Sequence, residues 1–198
     1  MEMPRDTLVE VPDEALLVLY ANGDPLAART LTARLLPRVL GYAARLLADR
    51  AEAEDIAQEA MLRLWRIAPD WRQGEAQVST WLYRVVTNLC TDRLRGRGRR
   101  GALALDDAPE VADDAPGAEA AMIEADRMAA LQSALDMLPD RQRQAVVLRH
   151  IEGLSNPEIA AVMEIGVEAV ESLTARGKRS LAAALSGQRV ALGYEDEV

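Results

Sequence analysis

The chain has little of the chemistry on which most enzymes and metal sites depend. Its 198 residues include one cysteine, Cys90, one histidine, His150, and no phenylalanine. A single cysteine excludes a disulfide within the chain and cannot supply a cysteine cluster for a metal. One histidine leaves almost nothing from which to build a metal site or histidine-based catalysis, and neither a glycine-rich phosphate loop nor an HExxH segment is present. We therefore expect no cofactor, no metal and no enzymatic activity. Cys90 lies in an apolar helical pattern and is predicted to be a core thiol.

Long apolar runs are also missing. No segment approaches the about 18 residues that a membrane span needs, and the N-terminus MEMPRDTLVE lacks the basic start and apolar segment of a signal peptide. We therefore expect no membrane insertion and a location in the cytoplasm. With 49% apolar residues, the chain can still bury a core in one or two domains.

Residues that favour strands are scarce, since aromatics make up 4% of the chain and β-branched runs are few. Ala, Leu, Arg and Glu dominate instead, a composition typical of helices. Asp13, Asp24, Ser79 and Asp140 are candidate N-caps, and Pro37 should kink or break the helix that contains it. Capping and breaking signals predict helices at residues 13–21, 25–47, 50–68, 79–95, 120–137, 140–153 and 167–185, with one more between Ser155 and Glu164.

Charge is distributed in blocks. The net charge of −9 argues against nucleic-acid binding only as an average, because residues 81–101 hold six arginines and one acid while residues 101–126 hold eight acids and no base. The acidic segment has few large apolar groups to offset its ordering entropy. We predict an all-α protein with two small helical domains at 13–101 and 122–187, joined by a flexible acidic linker at 102–121.

The second domain has the pattern of a helix-turn-helix. Ser155 and Glu158 stand at capping-box spacing, and a turn at 164–166 leads into a last helix with inward positions at Val170, Leu173 and Leu181. Helix, short turn and helix with this apolar spacing describe a DNA-binding motif.

A polar stripe runs along the predicted third helix, within the segment DIAQEAMLRLW at residues 55–65. Asp55, Gln58, Glu59, Leu62 and Arg66 fall on one side of a helix, opposite a set of apolar residues. Taken alone, the stripe fits either a solvated helix face or a docking face.

Three stretches together resemble the extracytoplasmic-function sigma factors, the small two-domain promoter-specificity subunits of bacterial RNA polymerase. They are EAEDIAQEAMLRLW, STWLYRVVTNLCTDRLRGRGRR, and LPDRQRQAVVLRHIEGLSNPEIAAVM followed by VEAVESLTARGKRSLAAAL. The resemblance covers roughly residues 13–101 and 122–186, and the three motifs occur in the family's order around a linker of suitable length.

The resemblance implies binding partners and roles. The polar stripe corresponds to a helix that binds a coiled coil of the polymerase's largest subunit, and the flap of the second-largest subunit is a further expected contact. The implied polymerase-binding residues are Asp55, Gln58, Glu59, Leu62, Arg63 and Arg66. Physically, an apolar residue supplies buried area there and the flanking charges fix orientation.

The basic helix and the loop before it, residues 70–78, are by resemblance the part that recognises and opens the upstream −10 promoter element. Trp81 either stacks on a base or fills the core, and the pattern favours the core. Asn88 offers both a donor and an acceptor to a base, and Arg84 and Arg95 are expected near the DNA. Phosphate contacts are predicted for Arg97, Arg99 and Arg100.

The last helix departs from the family pattern. Glu164 stands where a glycine is common in the turn, and Glu171 and Leu173 stand where a lysine and an arginine are common. Gly166 is then the expected left-handed residue, with the turn shifted. Six bases and six acids between Asp140 and Arg179 predict little general attraction for DNA. The implied contacts with the −35 element are Glu168, Glu171, Ser172, Thr174, Arg176, Lys178 and Arg179.

Two functions remain open at this point. The first is a dissociable sigma factor that binds core polymerase and promoter DNA and is itself held by an anti-sigma factor. The second is a sigma-like mimic that sequesters an anti-sigma factor without touching DNA, which the acidic last helix motivates. The linker is either a solvated spacer or, by resemblance, an acidic mimic of RNA in the polymerase's RNA path.

Overall fold

Helices account for all the regular structure of the described residues. The computed structural model describes residues 8, 10–72, 74, 77–100 and 118–186, with the side chains of all of these except residues 98–100 and 118–124. Within these ranges there is no strand, which confirms the all-α prediction. The helices are α1 (Asp13–Ala21), α2 (Pro25–Leu47), α3 (Arg50–Ile67), α4 (Val78–Arg100), α5 (Ala118–Asp136), α6 (Asp140–His150), α7 (Asn156–Met163) and α8 (Val167–Ser186), with a short 3-10 turn at Ala68–Asp70.

The first four helices form one bundle, and local capping sets where two of them begin. The Asp24 carboxylate accepts hydrogen bonds from the backbone N–H groups of Leu26 at 2.8 Å and Ala27 at 3.3 Å, with Pro25 in the first turn of α2. The carboxylate of Asp49 caps α3 in the same way, at 2.9 Å from the N–H of Glu52. Both helices then bury an apolar stripe inside the bundle.

Pro37 does not break α2, which leaves a kink as the remaining form of the prediction. The helix is continuous from Pro25 to Leu47, and both Pro37 and Ala33 are exposed. The carbonyl that loses its hydrogen bond, four residues before the proline, therefore faces solvent and can bind water.

Three predicted N-caps are wrong, and one of them is Asp140, which is the first helical residue of α6 while Pro139 holds the cap position. Asp13 is the first helical residue of α1 rather than its cap, and it forms a 2.8 Å ion pair with Arg34. Helix α4 begins at Val78, before Ser79, and a carboxylate distant in sequence serves its first turn, since the N–H of Val78 donates to Glu14 Oε1 at 3.0 Å. Gly96 and Gly98 do not end α4, which continues to Arg100.

The last four helices form the second bundle, which contains the predicted helix-turn-helix. Ser155 and Glu158 form the predicted capping box at the start of α7. Glu164 itself adopts the left-handed conformation at the end of α7, with φ 54° and ψ 48°, while Gly166 is not among the residues with positive φ. The predicted shift of the turn to Gly166 is therefore wrong, and the turn has the usual position with a glutamate in it.

The two bundles pack against each other. Helix α4 lies along α7, α2 contacts α5 and α6, and the buried apolar residues of both bundles belong to one cluster. Helix α5 begins at Ala118, inside the predicted linker, and residues 102–117 of that linker lie outside the described residues.

Candidate docking and nucleic-acid interfaces

Helix α3 has the two faces that its sequence predicts. Its inner face buries apolar residues in the first bundle, among them Ile56, Ala57, Ala60, Met61 and Leu64. Its outer face holds all six predicted docking residues, of which Glu59 is half-buried and Asp55, Gln58, Leu62, Arg63 and Arg66 are exposed. Leu62 is 49% exposed. A large apolar side chain set among charges is typical of a protein-binding surface.

An ion pair organises the middle of this outer face. Arg63 Nε donates to Glu59 Oε1 at 2.8 Å, one helical turn apart. That hydrogen bond lowers the pKa of Glu59 below its ordinary value. The carboxylate is therefore ionised at neutral pH, and both partners keep enough exposure to meet another protein.

Helix α4 brings four predicted DNA-contacting residues onto one stripe. Trp81, Arg84, Asn88 and Arg95 fall within about 60° of one another at 100° per residue. Asn88 and Arg95 are exposed, while Arg84 is half-buried and its Nη1 lies 3.9 Å from Glu164 Oε1 of the second bundle.

Trp81 is shared between the core and the surface. It is half-buried, packs against the hydrophobic cluster, and meets Trp71 edge to face with ring centroids 6.0 Å apart. The favoured core-packing interpretation therefore agrees with this geometry, and part of the side chain remains accessible to solvent. Trp71, from the loop before α4, was not among the predicted site residues.

Arg97 is engaged within its own bundle. Its Nη1 donates to the carbonyl of Leu47 at 2.9 Å, and its Nη2 lies 3.0 Å from Asp49 and 2.8 Å from Glu52. These contacts fasten α4 to the corner between α2 and α3. A phosphate contact would have to compete with two hydrogen-bond acceptors and with the nearby carboxylate of Glu52, so the structure favours a structural role for Arg97. The side chains of Arg99 and Arg100 lie outside the described residues.

Helix α8 presents most of its predicted DNA contacts to solvent. The exposed ones are Glu168, Glu171, Ser172, Arg176, Lys178 and Arg179. Thr174 is different, because its hydroxyl oxygen is buried and has no hydrogen-bond partner. A DNA contact by this hydroxyl would require the side chain to change its rotamer, so the structure does not favour the predicted role of Thr174.

Comparisons with known proteins agree with this division into two parts. The family description "Sigma-70 region 2" matches residues 31–100, and "Sigma-70, region 4" matches residues 128–181. The RNA polymerase sigma-H factor of Pseudomonas aeruginosa is 32% identical over 90% of this chain and 96% of its own. The chain belongs to the extracytoplasmic-function sigma factors.

Two further similarities support this membership. The ECF RNA polymerase sigma factor SigE of Mycolicibacterium smegmatis is 37% identical over 87% of this chain and 69% of its own. The solved structure of CnrH in complex with the cytosolic domain of CnrY superposes with a TM-score of 0.65 at 27% identity, covering 88% of this sigma factor and 97% of CnrH. Among the described helices of the sigma factor, none is long and apolar enough to cross a membrane.

Proposed function

We propose that this sigma factor binds core RNA polymerase through the outer face of α3 and promoter DNA through the stripe on α4 and the outer face of α8. As a member of its family it directs promoter-specific transcription initiation. The proposal assigns each step of that activity to a separate surface of the chain.

The observation that carries the polymerase-binding assignment is the exposed Leu62 within a charged stripe. Leu62 is 49% exposed, so burying the rest of its side chain against a partner contributes about 0.7 to 1.5 kcal/mol, about as much as or more than an exposed ion pair supplies. Glu59 and Arg63, already paired at 2.8 Å, then determine which charges the partner must offer. A coiled coil with an apolar position between bases and acids fits this arrangement.

The α4 stripe supports recognition of the −10 element. Asn88 can donate to and accept from a base edge, Trp81 can stack on an unpaired base, and Arg95 attracts the backbone. Because Arg97 is committed to Leu47, Asp49 and Glu52, the general electrostatic attraction depends on the remaining arginines of α4.

The second bundle supports recognition of the −35 element by α8. Arg176, Lys178 and Arg179 supply contacts to phosphates or bases, and Glu168 or Glu171 can accept from a cytosine amino group. With equal numbers of acids and bases in this bundle, base-edge contacts must supply much of its contribution to binding.

The mimic hypothesis has one observation in its favour, the exposed acids Glu164, Glu168 and Glu171 on the helix-turn-helix. The relatives reported above carry the names of sigma factors, so they give this hypothesis no support. We propose instead that an anti-sigma factor holds this sigma factor inactive, and that both act in the cytoplasm, where polymerase is found.

A charge reversal in the docking face tests the proposal. Glu59→Arg removes the ion pair with Arg63 and places a cation where we expect polymerase to require an acid. We expect its affinity for purified core polymerase to fall at least about 30-fold, as the loss of ~2 kcal/mol implies.

The matched control is Glu54→Arg, the same charge change on the same helix. Glu54 is turned about 100° from Asp55 around α3, and it pairs with Arg50 at 3.0 Å. We expect this variant to bind core polymerase like wild type, with unchanged far-UV circular dichroism for both. Wild-type affinity in Glu59→Arg would contradict the docking assignment.

A further inference from the structure

The contact between the two bundles contains buried polar groups as well as apolar packing. Glu152 lies between α6 and α7, and its side chain is only 7% exposed. Tyr83 of α4 donates a hydrogen bond from its hydroxyl to Glu152 Oε2 at 2.5 Å. Arg45 of α2 places Nη1 3.9 Å from the other carboxylate oxygen. Within the part of the chain that the structure describes, both side-chain partners of this buried carboxylate therefore lie in the other bundle.

A second set of polar contacts crosses the same boundary. Arg143 of α6 is buried and donates from Nη1 to the carbonyl of Leu46, at the end of α2, at 2.8 Å. Gln144, also buried, donates to Thr91 Oγ1 of α4 at 3.1 Å. At the outer edge of the contact, Arg84 and Glu164 add the long ion pair already described.

This boundary is less fully satisfied than a permanent core. Arg143 Nε and Gln144 Oε1 are buried without a hydrogen-bond partner. Buried groups with missing partners make a contact expensive, and each of them regains hydration when the bundles separate. An inter-domain contact that mixes buried polar groups with apolar packing, as this one does, is typical of domains that move relative to each other.

The packed arrangement is too small for the proposed function. Elements near −10 and −35 lie about 25 base pairs apart, or ~80 Å at about 3.4 Å per base pair. A compact chain of this length has a radius of gyration of about 16 Å, and hence a diameter of roughly 40 Å. The bundles therefore cannot reach both elements while they remain in contact.

We propose that the structure is the closed state of a two-state molecule, in which Glu152, held by Tyr83 and Arg45, latches the second bundle onto α2 and α4. Release of this latch separates the bundles and precedes engagement of both promoter elements. The proposal rests on the proposed function for its open state, but the closed state stands on the contacts alone. Burial is the main cause that raises the pKa of Tyr83, and the hydrogen bond to Glu152 adds to it. The hydroxyl therefore remains a donor throughout the physiological range.

Energy transfer between two dyes, one in each bundle, measures how often the two bundles are in contact in the full chain. Cysteines introduced at Ala51 of α3 and Ser180 of α8 are exposed and lie one in each bundle. Cys90 does not compete for the dyes, because it is buried and its pKa is raised to about 12. We expect the labelled wild-type background to show mainly one high-transfer population.

Tyr83→Phe removes the hydroxyl and keeps the ring over which Arg38 lies. Because it leaves Glu152 buried without its donor, we expect the ratio of low-transfer to high-transfer molecules to rise about fivefold or more. If opening is needed for docking, apparent affinity for core polymerase tightens by up to the same factor. Glu152→Ala, in the opposite bundle, is the second variant and should open the molecule in the same way.

The matched control is Tyr42→Phe. Tyr42 is also buried and its hydroxyl is 2.9 Å from Thr87 Oγ1, but this hydrogen bond lies within the first bundle. We expect the efficiency of energy transfer in Tyr42→Phe to equal that of wild type. High transfer in both latch variants, or low transfer already in the wild type, would overturn the latch. If the latch variants open but wild type does not bind core polymerase, the proposed function fails while the latch stands.

Discussion

Gly177 lies where α8 packs closely against α6, and its replacement by alanine gives a sharp test of the second bundle. A Cβ atom on Gly177 would lie 2.5 Å from Val146 Cγ2, 3.2 Å from the carbonyl oxygen of Gln142 and 3.4 Å from Gln142 Cβ. Val146 is 1% exposed, so it has no free space to move into. One of the two short contacts is to backbone, which can yield only if the helices move apart.

Two opposing terms decide the magnitude. Alanine gains about 1 kcal/mol over glycine in a helix interior. Overpacking a filled core costs about 1 to 3 kcal/mol, and the upper end applies here because valine has few χ1 rotamers in a helix. We therefore expect Gly177→Ala to lower the free energy of unfolding by about 2 kcal/mol.

Urea unfolding followed by far-UV circular dichroism measures this change, with Gly41→Ala as the matched control. Gly41 also lies inside a helix, but its added Cβ would meet only Arg45 Nη1, at 2.9 Å, and Arg45 Cζ, at 4.0 Å. The end of this flexible side chain can rotate away, at the cost of its 3.9 Å contact with Glu152, so this variant should stay within about 1 kcal/mol of wild type. If both variants raised the free energy of unfolding by the same amount, α6 and α8 would not be in tight contact, and the reasoning would be refuted.

Two further predictions concern pH and salt. The pKa of Glu158 lies below its ordinary value of 4.5, because the hydroxyl and N–H of Ser155 donate to its carboxylate. A lowered folded-state pKa gives stability that is present above the unfolded value and lost as the pH falls through the folded one, so unfolding free energy should fall more steeply from about pH 5 to pH 3 in wild type than in Glu158→Gln. An equal pH dependence in both proteins would contradict the capping-box assignment. Arg95→Ala should reduce the slope of log affinity for promoter DNA against log salt by about 1. Arg97→Ala should leave that slope unchanged and lower the free energy of unfolding by about 1 to 2 kcal/mol, and the reverse pattern would show that Arg97 meets phosphate.

Local signals explain what could be predicted from the sequence. Asp24 with Pro25, the spacing of Ser155 and Glu158, and the apolar stripe of α3 act within a few residues, so helix bounds and the exposed docking face follow from them. By intrinsic preference, Pro37 favours a kink or a break in α2, and the glycines near the end of α4 favour an earlier end of that helix. Both helices are nevertheless continuous in the structure, because packing and solvent access outweigh that preference.

Contacts between distant residues explain the rest. Glu14 serves the first turn of α4 from α1, and Glu152 meets Tyr83 across 69 positions of sequence. No periodicity signals such a pair, since Glu152 beside Gly153 reads as an ordinary polar turn. The orientation of Thr174 could not be predicted from the sequence for the same reason. Only the packing of α8 decides that its hydroxyl faces inward while Ser172 faces solvent.

Run-off transcription with purified core polymerase on genomic DNA fragments tests the central claim most directly. We expect discrete, promoter-dependent transcripts when the wild-type chain is added, none with core polymerase alone, and none with Glu59→Arg at the same concentration. Identical transcripts with and without the wild-type chain, under conditions in which it is folded and free of inhibitor, would contradict the assignment as a sigma factor.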